Sequence, residues 1–226
     1  RLETVKGEID ALLAGTGLAG AQVFPLSSIS GQGMPDLAAH LQKEAAATRT
    51  RSAEGQFRLS IDRAFSIKGA GLVVTGTAVA GTVRTGDQLL LSPRGREVRI
   101  RGLHVQDQQS EQGQAGQRCA INIVGEVTKD DIHRGDWLVA PGAHAPTNRL
   151  DARLFVAASE EKPLKHWSPV HLHLGAGDFT ARVAVLTGGS IAPGDNGLVQ
   201  LVTDAPFAAL KGDRFVLRDQ SARRTV

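Results

Sequence analysis

Residues 57–91 read FRLSIDRAFSIKGAGLVVTGTAVAGTVRTGDQLLL. The runs FRLSIDRAF, GLVVTGTAV and DQLLL are rich in β-branched and aliphatic residues and are cut by Gly and Asp. They recur in steps of about ten residues, the grammar of short antiparallel strands. EVRIRGLHV, QRCAINIV and DWLVA keep the same beat. Beyond a Pro/Ala/Gly-rich joint at 141–147, DARLFVA, VHLHL, FTARVAVL, GLVQLVT and DRFVLRD resume it. The spacing predicts two small antiparallel β-barrels, over 57–145 and 146–226, in preference to one large one. Gly-Asp pairs at 86–87, 135–136, 194–195 and 212–213 stand just before apolar runs. Glycine supplies positive φ and aspartate bonds back to local backbone, so these pairs mark turns and not chemistry.

Upstream the grammar changes. Leu2, Val5, Ile9, Leu12 and Leu13 recur at helical spacing, and Gly15-Thr16-Gly17 stops that helix. Residues 21–28 (AQVFPLSS) read as a short buried strand running into a polar loop. Pro35 suits a first helical turn, with Leu37, Leu41 and Ala45 on one face. Residues 1–47 therefore predict helix, strand, helix, and the polar stretch 48–56 a linker. The stretch 15–20 (GTGLAG) matches G-x-G-x-x-G formally. A dinucleotide site needs a strand before that motif and a helix after it, and here the order is reversed. It reads as a helix-ending turn.

Composition narrows the function classes. Of 226 residues, 41% are hydrophobic and 22% charged, which excludes a disordered chain. The single cysteine, Cys119, excludes a disulfide framework or a Cys-rich zinc module. No apolar run nears the ~18 residues of a membrane span and no leader pattern opens the chain, so a cytoplasmic protein without membrane partners is expected. The chain starts at Arg1 and ends on Arg223-Arg224-Thr225-Val226 after a strand-like run; both ends read as cuts through a longer protein. His171 and His173 share a strand face with no third ligand signposted, so a structural pair is expected and no metal site. There is no G-x-x-x-x-G-K-[ST], H-E-x-x-H or G-x-S-x-G, and no catalytic residue is expected.

The net charge is only +3, yet it is unevenly placed: residues 1–56 carry −1 and each later piece +2. Arg99 and Arg101 alternate on EVRIR beside Arg94 and Arg96, while Arg214, Arg218, Arg223 and Arg224 crowd the end. With 7 Phe, 2 Trp and no Tyr, a base-stacking platform is disfavoured. A nucleic acid would be met through backbone and shape.

Three segments resemble the translational GTPases related to elongation factor Tu. Residues 23–33 (VFPLSSISGQG) resemble that family's last guanine motif, 79–87 (VAGTVRTGD) its second-domain hairpin, and 215–226 (FVLRDQSARRTV) a strand and turn near the end of its third domain. Within the family the stretch at 57–91, with AGQRCAINI and HRGDWLVA, is similar to the bacterial selenocysteine-specific elongation factors, and the likeness runs through the whole chain. It implies a mainly β fold: translation-factor domains II and III, the latter stopping before its closing strand, after the C-terminal α/β edge of a GTPase domain at 1–47.

The same resemblance implies a set of roles. Asp62, Arg63 and Arg118 match the pocket that receives the aminoacyl end of selenocysteinyl-tRNA. Ser27, Ser28 and Ile29 match the loop whose amides read guanine. Arg218, Asp219, Gln220, Ser221 and Arg224 match a turn against the tRNA T-stem. The intact protein is then expected to be a monomeric GTPase using GTP/GDP with Mg, meeting the ribosome and, through a further region, a messenger-RNA hairpin. This chain, without the phosphate loop, switch regions or Asn-Lys-x-Asp motif, should bind no cofactor and be inactive alone. Two other readings stay open: another factor of the elongation factor Tu type, or a non-catalytic RNA-binding module of paired barrels.

Overall fold

In the β region, inward and outward side chains alternate strand by strand. Strand β1 (Arg58–Ile67) and β2 (Gly71–Ala80) form the long antiparallel hairpin of residues 57–80. There follow β3 (Thr82–Arg84), β4 (Gln88–Ser92), β5 (Arg96–Val105), β6 (Gln108–Ser110), β7 (Gln112–Gln114), β8 (Arg118–Val124) and β9 (Trp137–Val139). Hydrogen-bonded neighbours run β4-β9-β1-β2-β8-β5-β6, and β4 also pairs with β5, so six strands close into a barrel. Its inward residues, among them Leu59, Ile61, Val74, Leu103, Ile121 and Leu138, form one buried apolar cluster.

A second sheet is built from β10 (Pro146–Phe155), β12 (Ser168–Leu174), β13 (Gly177–Val185), β15 (Asn196–Ala208) and β16 (Phe215–Arg218), with β11 (Leu164–Lys165) and β14 (Ser190–Ile191) as a separate pair. The order is β10-β15-β13-β12-β16. Among the described residues β10 and β16 do not pair, so this sheet is a half-barrel where the alternating pattern alone predicts a second full barrel. The chain is mainly β, with 46% of it in strands against 15% in helices.

The two sheets share a core and not merely a linker. Trp137, Val139 and Ala143 are buried in the same cluster as Leu172, Leu201 and Phe207. The Gly-Asp turns contribute as well. Gly86, Gly135, Gly194 and Gly212 all take φ between +82° and +95°. Asp87, Asp136 and Asp213 accept backbone N–H from Arg84, His133 and Leu210, three residues earlier, at 2.7–2.8 Å. A Cβ on Gly135 would stand 2.5 Å from the Gly177 Cα, so this turn also lets the second sheet approach.

The computed structural model describes residues 1–48, 53–221 and 224–226, and divides at Arg1–Thr50 and Arg51–Val226. The first unit holds α1 (Leu2–Leu13) and α2 (Met34–Ala47), the latter with Pro35 in its first turn. Turns follow α1, as GTGLAG predicts, with the Thr16 N–H donating to Leu13 O at 2.9 Å. Residues 21–28 are not a strand. The reason is physical: a strand needs a ladder, no neighbouring strand exists among the described residues of this unit, and Pro25 lacks a donor. Of the expected linker, residues 49–52 lie outside the described residues. No helix among the described residues is long and apolar enough to cross a membrane.

Candidate functional site

Four neighbouring strands, β1, β2, β8 and β5, present one continuous outer face on the closed barrel. Asp62 and Arg63 are consecutive, and in a regular strand they would point to opposite faces. A register shift prevents this: Ile61 pairs with Gly76 and Arg63 with Thr75, leaving Asp62 as the extra residue of a β-bulge. Ile61 on one side is fully buried and Ala64 on the other packs against the core, so both residues between them turn outward. At Gly76, opposite the bulge, a Cβ would lie 2.0 Å from the Ser60 carbonyl oxygen, so only glycine lets β1 and β2 approach there.

Asp62 is held from two further strands. The Thr75 hydroxyl of β2 donates to its Oδ1 at 2.8 Å. From β8, the Arg118 guanidinium is bidentate on the carboxylate: Nη2 donates to Oδ1 at 3.1 Å and Nη1 to Oδ2. Burial works to raise the Asp62 pKa. The hydrogen bonds from Arg118 and Thr75 and the charges of Arg118 and Arg63 outweigh it and hold the carboxyl below its usual value. Arg118 moves the opposite way, raised by its hydrogen bond to Asp62 against some desolvation, with the charges of Asp62 and Asp107 adding to it. Among the described residues Arg63 makes no hydrogen bond or ion pair. The cluster thus holds one carboxylate and two guanidinium groups, one of them uncommitted.

A cavity of about 440 Å³ opens on the same face. Phe65, Ile67 and Val73 supply its apolar wall, and Arg101, His104 and Asn122 its polar one. Ala120 and Asn122 line it and share their face of β8 with Arg118 by strand alternation. Asp107, also in its lining, sits at φ 63° in the β5–β6 turn and acts electrostatically on Arg118. Sequence reading missed Thr75 and this cavity. The available signal was parity: Thr75 and Val73 alternate with buried Val74 on β2.

The other sequence candidates lie elsewhere. Ser27, Ser28 and Ile29 belong to the first unit, in a loop closed by the Ser27 N–H donating to Gln32 O and the Gly31 N–H to Ser27 O, both at 2.9 Å. Ile29 is 99% exposed, and among the described residues the Ser28 and Ile29 N–H groups make no internal hydrogen bond. Asp219, Ser221 and Arg224 form one turn after β16: the Ser221 hydroxyl lies 2.8 and 2.9 Å from the two Asp219 oxygens, and Arg224 Nε 3.6 Å from Oδ2. Arg218 bridges to Thr225, and Gln220 borders a hollow of about 210 Å³ with His171, Thr180 and Arg182. His171 Nδ1 lies 3.0 Å from the Asp178 carboxylate, which can only accept, its ring is stacked on His173, and no group of three or more His, Cys, Asp or Glu among the described residues is placed to hold a metal. Arg94 and Arg96 are spent on ion pairs with Asp136 and Asp131.

A closed barrel joined to a half-barrel is the architecture of the barrel domains of translation elongation factors. Residues 71–139 match elongation factor Tu domain 2, and 151–226 match the selenocysteine-specific elongation factor β-barrel domain. Over all 226 residues the chain is 40% identical to the selenocysteine-specific elongation factor of Escherichia coli and 33% to that of Desulfomicrobium baculatum, covering 34% and 35% of those proteins. Among solved structures, the apo translation elongation factor SelB from Methanococcus maripaludis shares the fold at TM-score 0.84 and 24% identity, over 97% of this chain and 51% of that one. A bacterial selenocysteine-specific elongation factor shares it at TM-score 0.80 and 23% identity, over 97% and 35%. The chain spans about a third of the length of the curated relatives it matches. Over that third, the selenocysteine-specific elongation factors are its homologues along its whole length.

Proposed function

We propose that this chain is the part of a selenocysteine-specific elongation factor that receives selenocysteinyl-tRNA, with the ester-linked amino acid read at Asp62, Arg63 and Arg118. The observation that carries this reading is the bulge at Asp62, which brings two consecutive residues to the face where Arg118 stands. A selenol is more acidic than a thiol, so selenocysteine is largely an anion at neutral pH, while serine is neutral. One carboxylate and two guanidinium groups leave a local charge that favours the anion. A charge-assisted hydrogen bond is worth about 1.5–3 kcal/mol, whereas a neutral hydroxyl returns less for the same desolvation. Charge thereby discriminates where size cannot. The adjoining cavity of about 440 Å³ gives the end of the tRNA a place to enter. The turn at Arg218, Asp219, Gln220, Ser221 and Arg224 offers short polar groups and arginine, which suit the phosphates and 2′-hydroxyls of A-form RNA.

In the full-length protein, acting in the cytoplasm at the ribosome and on a messenger-RNA hairpin, GTP with Mg²⁺ would supply a nucleotide-driven switch. Residues 27–29 fit only the base-reading part of such a site, through the backbone amides of Ser28 and Ile29, the Ser27 N–H being held by Gln32 O. The 226 residues contain no phosphate cradle, so no step of hydrolysis is assigned to them. The test is competition between selenocysteinyl-tRNA and the same tRNA uncharged. Strong preference for the charged form supports the reading; equal binding replaces it with an RNA-binding module indifferent to the amino acid.

A further inference from the structure

We propose that Thr75 is a positioning residue for this site, its hydroxyl pinning the Asp62 carboxylate against Arg118 so that Arg63 stays free for the anionic side chain; the inference rests on the reading above. Asp62 lies in a bulge with no Cα partner on β2, so the strand ladder does not fix its side chain. Arg118 alone is a poor restraint, being long and 53% exposed. Thr75 is short, β-branched and seated on a central strand, with Arg63 paired to it on one side and Ala120 on the other. A carboxylate free to rotate could pair with either guanidinium, and Arg63 is near enough for its charge to act on Asp62. The Thr75 hydroxyl, at 2.8 Å from Oδ1, removes that freedom. Selectivity would then depend on a residue that acts through the Asp62 carboxylate.

The experiment uses the full-length protein with GTP and measures affinities for selenocysteinyl-tRNA and seryl-tRNA on the same tRNA body. Thr75→Val keeps the shape and loses the donor; Thr75→Ser keeps the donor. Thr75→Val is expected to cut the selenocysteine-to-serine affinity ratio about tenfold, with seryl-tRNA binding changed by less than about twofold, and Thr75→Ser to restore most of the ratio. If the valine variant does not fold, Thr75→Ala carries the same expectation. An unchanged ratio, a parallel fall for both tRNAs, or a serine variant no better than valine overturns the proposal. Arg118→Ala in the same series separates the failures. If it abolishes selectivity while Thr75→Val does not, only the role of Thr75 falls; if the unmodified protein does not discriminate at all, the site reading falls with it.

Discussion

Arg58 of β1 and Asp213 of the turn before β16 stand 155 residues apart and meet in a bidentate pair, Nη1 at 2.8 Å from Oδ1 and Nη2 at 2.7 Å from Oδ2. The Arg58 guanidinium also lies 4.4 Å from the centroid of the Trp137 ring, within the shared core of the two sheets. The side chains are only 9% and 17% exposed. The pair therefore fixes one sheet on the other where a short linker alone would leave them free to turn.

Removing one partner leaves the other charge buried and alone. Asp213→Asn or Arg58→Ala is expected to destabilise the β region by about 3 kcal/mol, read as a lower denaturant midpoint in urea. A change within about 0.5 kcal/mol would mean that the apolar cluster holds the sheets without the pair.

Acid should act at the same place. Burial tends to raise the Asp213 pKa, but the Arg58 hydrogen bond, the Leu210 N–H and the Arg58 charge prevail and keep it below its usual value. A depressed carboxyl contributes stability that is present above its unfolded pKa of about 3.9 and lost as pH falls through the folded value. Thermal midpoints should thus be flat near neutrality and drop below about pH 4, with a shallower drop in Asp213→Asn. An equally steep acid limb in that variant would assign the loss to other carboxylates, Asp62 among them.

Cys119 follows Arg118 on β8 and faces inward, 1% exposed, with burial pushing its thiol up to about 11. Iodoacetamide at pH 8 should leave it unmodified in the native protein and label it on unfolding. Rapid native labelling would contradict the inward face of β8, and with it the outward face of Arg118.

The closed barrel was legible in residues 57–139 because its strands obey period two and its turns carry Gly-Asp. The half-barrel was legible strand by strand, but its openness came from the family likeness and not from the pattern: closure depends on which edges meet, and alternation says nothing of edges. Residues 21–28 have the apolarity of a strand, but among the described residues of their unit no second strand pairs with them. In the site, the family likeness singled out Asp62, Arg63 and Arg118, but strict alternation would have put Asp62 and Arg63 on opposite faces. Only the register opposite Gly76 reveals the bulge that unites them. Thr75 stayed hidden because a threonine in a strand is ordinary, and its hydroxyl matters only once Asp62 lies 2.8 Å away. Arg58 and Asp213 were invisible as a pair, since nothing local connects residues so distant in the chain.

The central claim, that charge at Asp62, Arg63 and Arg118 selects the amino acid, is met most directly by the affinities of Arg63→Ala and Arg118→Ala in the full-length protein. Each should bind selenocysteinyl-tRNA at least about tenfold more weakly while seryl-tRNA binding barely moves, as loss of a charge-assisted hydrogen bond requires. Equal losses for the two tRNAs, or none for either, would contradict it.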